Sequence, residues 1–288
     1  MKKVYKIADI TIGIEYHYKT YLDHNIESYL DDDTSNVKHN IQVVLSDHID
    51  LPIGKTNQTK NPYVILESHQ RTIYALTKNG EVKECITHDS DFKHVEIKMN
   101  PKFIRNPAEM EYALIGLIFM DIALKNGYIS LHASAIEYQG EAILFSAPSQ
   151  TGKSTHARYW MSTFDNIRLI NDDKPLIKVD QKDIYVYGSP FSGKSKLNQN
   201  IKVPLKAIVF IKQGLTNRVE TLCESVKIKE LFKNMMRPDD EDIWNQTIRQ
   251  LNVIIERIPM YSIEATNDQS SVHAIHKVIY NQETKNEN

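Results

Sequence analysis

Residues 141–161 constrain the fold more than any other stretch of the chain. Glu141-Ala142-Ile143-Leu144-Phe145 has the composition of a buried strand. Ala147-Pro148-Ser149-Gln150-Thr151-Gly152-Lys153-Ser154 follows, and then Thr155-His156-Ala157-Arg158-Tyr159-Trp160-Met161, all acceptable in a helix. A strand, a glycine-bearing turn and a helix, in that order, form the frame of a phosphate-binding loop. The backbone N–H groups of the turn and the helix N-terminus converge there on one anion. A domain built around such a unit is α/β, with helices covering the faces of a sheet.

A rival stretch fits the written Walker pattern, G-x-x-x-x-G-K-[ST], more literally: Gly188-Ser189-Pro190-Phe191-Ser192-Gly193-Lys194-Ser195. The first stretch departs from it at Ala147. Context favours the first all the same. After Ser195 come Lys196-Leu197-Asn198-Gln199-Asn200 and then Pro204, with little helical periodicity. In the chosen loop Lys153 is expected on the β- and γ-phosphates of ATP, and the Ser154 hydroxyl on Mg²⁺. Thr155 and the backbone of Ser149, Gln150, Thr151 and Gly152 are expected to line the phosphate cradle.

Ile167-Arg168-Leu169-Ile170 reads as a strand ending in Asn171-Asp172-Asp173. In α/β sheets ligands bind beyond the carboxyl ends of strands. One of these carboxylates can therefore hold Mg²⁺ while the other accepts a proton from a hydroxyl. Paired acids raise each other's pKa unless a cation offsets the repulsion. Asp-Asp is also a common capping or turn pair. His132 lies on an alternating run, Ile129–Ile136, that reads as a strand. For His132 a structural role and a catalytic one both stay open. The same holds for Lys194, which is either a solvated loop lysine or a contact to the transferred phosphoryl group. Arg237 is a weaker anion-binding candidate.

The rest of the chain sets this unit in a two-domain frame. Residues 1–100 carry β-prone runs at Ile41–Leu45, Tyr63–Leu66 and Thr72–Leu76, with a hairpin turn at Asn79-Gly80. They predict a small β-rich or α+β domain, a candidate for acceptor recognition. Residues 101–288 predict the ATP-binding catalytic domain. A buried helix starts at Pro107 and ends at Asn126-Gly127. Lys174–Val179 and Ile184–Tyr187 form a β-pair, and Leu205–Lys212 a further strand. Asp239 or Asp240 caps a helix with Trp244, Ile248, Leu251, Ile255 and Ile258 on one face. A strand Met260–Ala265, a helix Asp268–Tyr280 and a polar tail, 281–288, complete the chain.

A net charge of -2 and a pI of about 6.6 argue against nucleic acid as the main partner. Two widely spaced cysteines fit idle thiols in a reducing compartment. No apolar run follows Met1-Lys2-Lys3, so no signal peptide is expected. Ala113–Leu124 is far shorter than the roughly 20 residues a membrane helix needs. The expectation is a cytoplasmic protein without a membrane partner, with self-association left open.

Leu131-His132-Ala133, the loop Ala147–Ser154 and Ile170-Asn171-Asp172-Asp173 come in an order that resembles HPr kinase/phosphorylase. Thr151-Gly152-Lys153-Ser154-Thr155 is also similar to the loop of phosphoenolpyruvate carboxykinases. The likeness runs over about residues 129–212. It implies a P-loop domain of that type, with a mixed sheet and C-terminal helices. It further implies Asp172 as general base, Asp173 on Mg²⁺, His132 supporting Asp172, and a role for Gly193 and Lys194. The glutamate-and-arginine segment of true HPr kinases has no counterpart here, so the acceptor is expected to be the hydroxyl of another peptide, protein or small molecule. The function expected is transfer of the γ-phosphate of ATP to that hydroxyl. A nucleotide-binding regulator and a carboxykinase-like lyase are the alternatives.

Overall fold

A computed structural model describes the chain apart from residues 1, 57–60, 68, 149–150, 182, 193–196, 239 and 281–288. The side chains of residues 20 and 21 are also undescribed. The expected polar tail and the candidate cap Asp239 thus lie outside the described residues. The chain divides into two compact units, Met1–Lys125 and Asn126–Asn288. The helix beginning at Pro107, expected with residues 101–288, belongs to the first unit.

The first unit starts with strands β1 (Lys3–Ile7) and β2 (Ile10–Glu15) and helix α1 (Lys19–Ile26). Strands β3 (His39–Leu45), β4 (Tyr63–Glu67), β5 (Gln70–Leu76), β6 (Val82–Asp89) and β7 (His94–Met99) follow, then helix α2 (Pro107–Lys125). The sheet order is β1-β2-β3-β7-β6-β5-β4. The pairs β2–β3 and β3–β7 are parallel. Helix α1 has no side-chain cap of its own. Buried Glu111 of α2 fills that role by accepting from the N–H groups of His17 and Tyr18, each at 2.8 Å.

The second unit runs β8 (Ile129–Ser130), β9 (Ala133–Tyr138), β10 (Glu141–Ser146), α3 (Lys153–Thr163), β11 (Arg168–Asp173), β12 (Leu176–Asp180), β13 (Asp183–Tyr187) and β14 (Lys202–Gln213). Strand β15 (Arg218–Thr221), helices α4 (Glu224–Asn234) and α5 (Glu241–Arg257), strand β16 (Met260–Ala265) and helix α6 (Ser270–Tyr280) complete it. Its mixed sheet has the order β11-β9-β10-β14-β13-β12-β8, with β16 beside β14 and β15 beside β16. The pairs β10–β14 and β14–β16 are parallel.

The central strands are apolar along their middles, Ala142–Phe145 in β10 and Ala207–Ile211 in β14, because these stretches are covered on both faces. In β10, Ala142 and Leu144 pack with Leu231 of α4 and Leu251 and Ile254 of α5. Ile143 and Phe145 point the other way, to Ala157 and Trp160 of α3 and Val272 and Ile275 of α6. In β14, Ile208 and Phe210 join the first layer, and Ala207, Val209 and Ile211 the second. The period-two alternation of a strand thus feeds two helical layers. Asp240 caps α5 by accepting from the Ile243 N–H at 3.0 Å, which fixes the start of its apolar stripe. No helix among the described residues is long and apolar enough to cross a membrane.

Candidate functional site

Three adjacent strands bring the site together by register. Ala133 lies opposite Ser146 on one side and Asp173 on the other, and Ser134 lies opposite Asp172. The residue before β9, the loop after β10 and the end of β11 therefore meet at one end of these strands. His132 was expected on a continuous strand, Ile129–Ile136. That run is instead broken between β8 and β9, where Leu131 bridges to Met235 and the His132 N–H donates to Asn234 O at 2.7 Å. The break turns His132 toward the loop.

The loop between β10 and α3 has the strand–turn–helix form expected of it. The Thr151 N–H donates to Pro148 O at 3.2 Å, closing the turn. Gly152 caps α3 at φ +110°. A Cβ there would meet nothing within 4 Å, so the backbone conformation rather than crowding calls for glycine. The first turn of α3 holds no acidic residue, leaving its N–H groups and positive dipole end to an anion.

Lys153 is buried, and its Nζ donates to Ala147 O at 3.0 Å and to Pro148 O at 3.4 Å. It also lies 2.8 Å from His132 Nε2. Burial pushes the amine below its usual pKa, against the charges of Asp173 and Asp172. Because an ammonium only donates, His132 Nε2 accepts and the ring proton sits on Nδ1. That nitrogen lies 2.9 Å from Asp173 Oδ1. Burial opposes the Asp173 charge, but the His132 hydrogen bond, together with the charges of Lys174 and Lys153, outweighs it. The carboxyl is held below its ordinary range. Asp173 also sits at φ +133°, a region that side-chain-bearing residues rarely enter, so its backbone is strained.

Asp172 faces different partners. Its Oδ1 accepts from Ser154 Oγ at 2.8 Å and from Ser134 Oγ at 2.5 Å. The two acids thus diverge, one toward the hydroxyl expected on Mg²⁺ and the other toward His132. The support of Asp172 by His132 that the family resemblance implied is not what is found: His132 contacts Asp173. Asn171, fully buried, donates to Ser189 O at 2.7 Å and accepts from the Lys174 N–H at 2.8 Å, which fixes the chain on either side of the acid pair.

The rival loop is built differently. At Gly188 an added Cβ would lie 1.8 Å from Gln199 O and 2.9 Å from Ile170 O. Its glycine answers a close approach of backbones. The chain after it returns beside β11, with the Gln199 N–H donating to Ile170 O at 3.0 Å. Lys194 and Gly193 lie outside the described residues, as do Ser149 and Gln150 of the first loop. Arg237 is exposed and donates to Phe232 O at 2.9 Å.

Ser134 and Lys174 also belong to the site, and sequence reasoning did not find them. Ser134 belongs to the same alternating run of sequence as His132, but its place opposite Asp172 is a matter of strand pairing, which no local pattern encodes. Two clefts flank the cluster. One of about 620 Å³ lies beside Gly152, Thr155 and Tyr159. The other, of about 560 Å³, is lined by His132, Pro148, Lys174, Lys233, Met235 and Met236.

Residues 107–279, well over half of the chain, match the family described as SynChlorMet cassette protein ScmC. No curated protein matches the chain. The family match corrects the resemblance to HPr kinase/phosphorylase. That likeness rested on a histidine, a phosphate-loop pattern and an acid pair in order. A phosphate loop set in any sheet with acidic strand ends can present those three, and a match over the whole segment outweighs them.

Proposed function

We propose, for a chain that belongs to the ScmC family, that the second unit binds a nucleoside triphosphate with Mg²⁺ and transfers the γ-phosphate to a hydroxyl. One observation carries the reading. Lys153, Ser154, Asp172, Asp173 and His132 meet at a turn between a strand and a helix N-terminus, on a sheet whose strands end there. In this reading the domain is of the P-loop type, and its loop is Ala147–Ser154. Cytoplasm, where nucleoside triphosphates are held, is the compartment that fits, and the two free cysteines agree with it.

The roles follow the contacts. The Lys153 amine now rests on two loop carbonyls and His132, and would exchange them for phosphate oxygens. Ser154 and Asp172 fit Mg²⁺: a hydroxyl and a carboxylate side by side are what that ion takes when phosphates and water supply its other ligands. Bound there, Mg²⁺ supplies charge neutralisation on the phosphates. Asp173, held ionised at neutral pH and oriented by His132, accepts the proton of the attacking hydroxyl. That oxygen bonds to the γ-phosphorus, the bond from the γ-phosphorus to the β–γ bridging oxygen breaks, and the diphosphate leaves. The cleft with Lys174, Lys233 and the two methionines adjoins this pair and suits an acceptor with an apolar body and a negative group, such as a peptide.

Transfer is tested with γ-labelled ATP, Mg²⁺ and peptides or small proteins carrying serine. Wild-type protein is expected to label an acceptor. Asp173→Asn should cut the rate by ~10²–10⁴-fold while ATP still binds. Label transfer undiminished in Asp173→Asn would remove the assigned base. Binding without transfer to any acceptor would favour a nucleotide-binding regulator.

A further inference from the structure

The cleft beside Gly152 is continuous with the phosphate turn. Thr151, Gly152 and Thr155 belong to the turn and first helical residues, and the same residues line the cleft wall. Its far wall is formed where β14 and β16 end, at Gln213–Leu215 and Ala265–Asn267. Its volume of about 620 Å³ is in the range of small-molecule sites. Resting on the proposed phosphate transfer, we infer that this cleft holds the nucleoside of the donor triphosphate, base and sugar.

The chemistry of the two clefts separates donor from acceptor. Among the described residues, those lining this one include no Asp, Glu, Lys or Arg. His156, at its base, is buried and held well below the usual histidine pKa by that burial, hence neutral. An uncharged site suits a nucleoside, whereas the cleft on the His132 side carries Lys174 and Lys233. Leu215 lines the nucleoside cleft at 98% exposure, an apolar side chain left in water beside a concave site. A flat base laid on it would cover that surface. Tyr159 supplies a second apolar face, its hydroxyl fixed on Asn267 O at 3.0 Å.

The walls are braced before any ligand arrives. Asn217 Oδ1 accepts from both the N–H and the hydroxyl of Thr266 at 2.9 Å, and its Nδ2 donates to Ser270 Oγ at 2.6 Å. These bonds tie the turn after β14 to the turn after β16. A site held open in this way loses little freedom on binding.

The test compares two probes, ATP and inorganic tripolyphosphate, by titration calorimetry on the full chain with Mg²⁺. Tripolyphosphate reads the phosphate turn alone. Wild-type protein is expected to bind ATP about 10-fold or more tightly than tripolyphosphate. Leu215→Ser, a change at a fully exposed position, should shrink that ratio about fivefold while leaving tripolyphosphate affinity unchanged. Equal affinities in the wild type, or a variant with an unchanged ratio, would overturn the inference and leave the phosphate reading standing. If neither probe binds, the phosphate reading itself fails and takes the inference with it.

Discussion

His156 gives a pH dependence that can be worked out before measurement. It lies on the first turns of α3, is 3% exposed, and packs edge-on against Phe145 at 4.8 Å. Trp160 Nε1 donates to its Nε2 at 3.3 Å, and Nδ1 lies 3.4 Å from Ser271 Oγ on α6. The ring is neutral, and burial lowers its pKa from 6.5 to about 4. The folded value lies below the unfolded one, so the unfolded chain takes up the proton first as the pH falls. Stability is fully present above pH ~6.5 and is lost progressively toward the folded value. At pH 5 the difference is ~1.5 pH units at 1.36 kcal/mol each, or roughly 2 kcal/mol. For a unit of this size that is a fall of ~4–8 °C in melting temperature. Trp160 and Trp244, the two tryptophans of the chain, both lie in the second unit. Tryptophan fluorescence therefore follows that unit alone. Melts at pH 7.5 and pH 5.0 should show this fall in excess of that of His156→Gln, whose side chain does not titrate. Other carboxylates and histidines are present in both proteins and cancel in the comparison. Superimposable pH dependences would refute a neutral, buried His156 as the source.

Gly188→Ala should lower the melting temperature of the second unit by roughly 2–12 °C, because overpacking costs ~1–3 kcal/mol and here a Cβ meets backbone at 1.8 Å. An unchanged melt would mean that the approach of Gln199 to Gly188 is looser than described. Ser154→Ala should lower ATP affinity about tenfold in Mg²⁺ and leave it unchanged in EDTA, as read by calorimetry. An equal loss in both conditions would take Ser154 off the metal.

The strand–loop–helix unit, the β12–β13 pair, the cap at Asp240 and the stripe of α5 were legible because each is local. Spacing within a dozen residues fixes them. The pairing that builds the site was not legible. Nothing within the run Ile129–Ile136 says that it breaks at Leu131, because the break is set by Met235, a hundred residues on. Nor does the pair Asp172-Asp173 say which acid faces which partner. That follows from the register of β11 against β9 and from the positive φ at Asp173. Gly188 shows the opposite failure. Its stretch fits the written pattern, yet its glycine is there for backbone crowding. The family resemblance erred for a related reason: short motifs in order report a local architecture that unrelated chains share.

The central claim is that Ala147–Ser154 binds the phosphates of a nucleoside triphosphate, and Lys153 tests it most directly. Calorimetric titration of the full chain with ATP and Mg²⁺ should show saturable one-site binding. Lys153→Met keeps the apolar stem and removes the charge, so its affinity should fall by ~100-fold, about 2.7 kcal/mol. Its melting temperature should stay close to that of the wild type. Equal ATP affinity in the two proteins, or no binding by the wild type, would contradict the account.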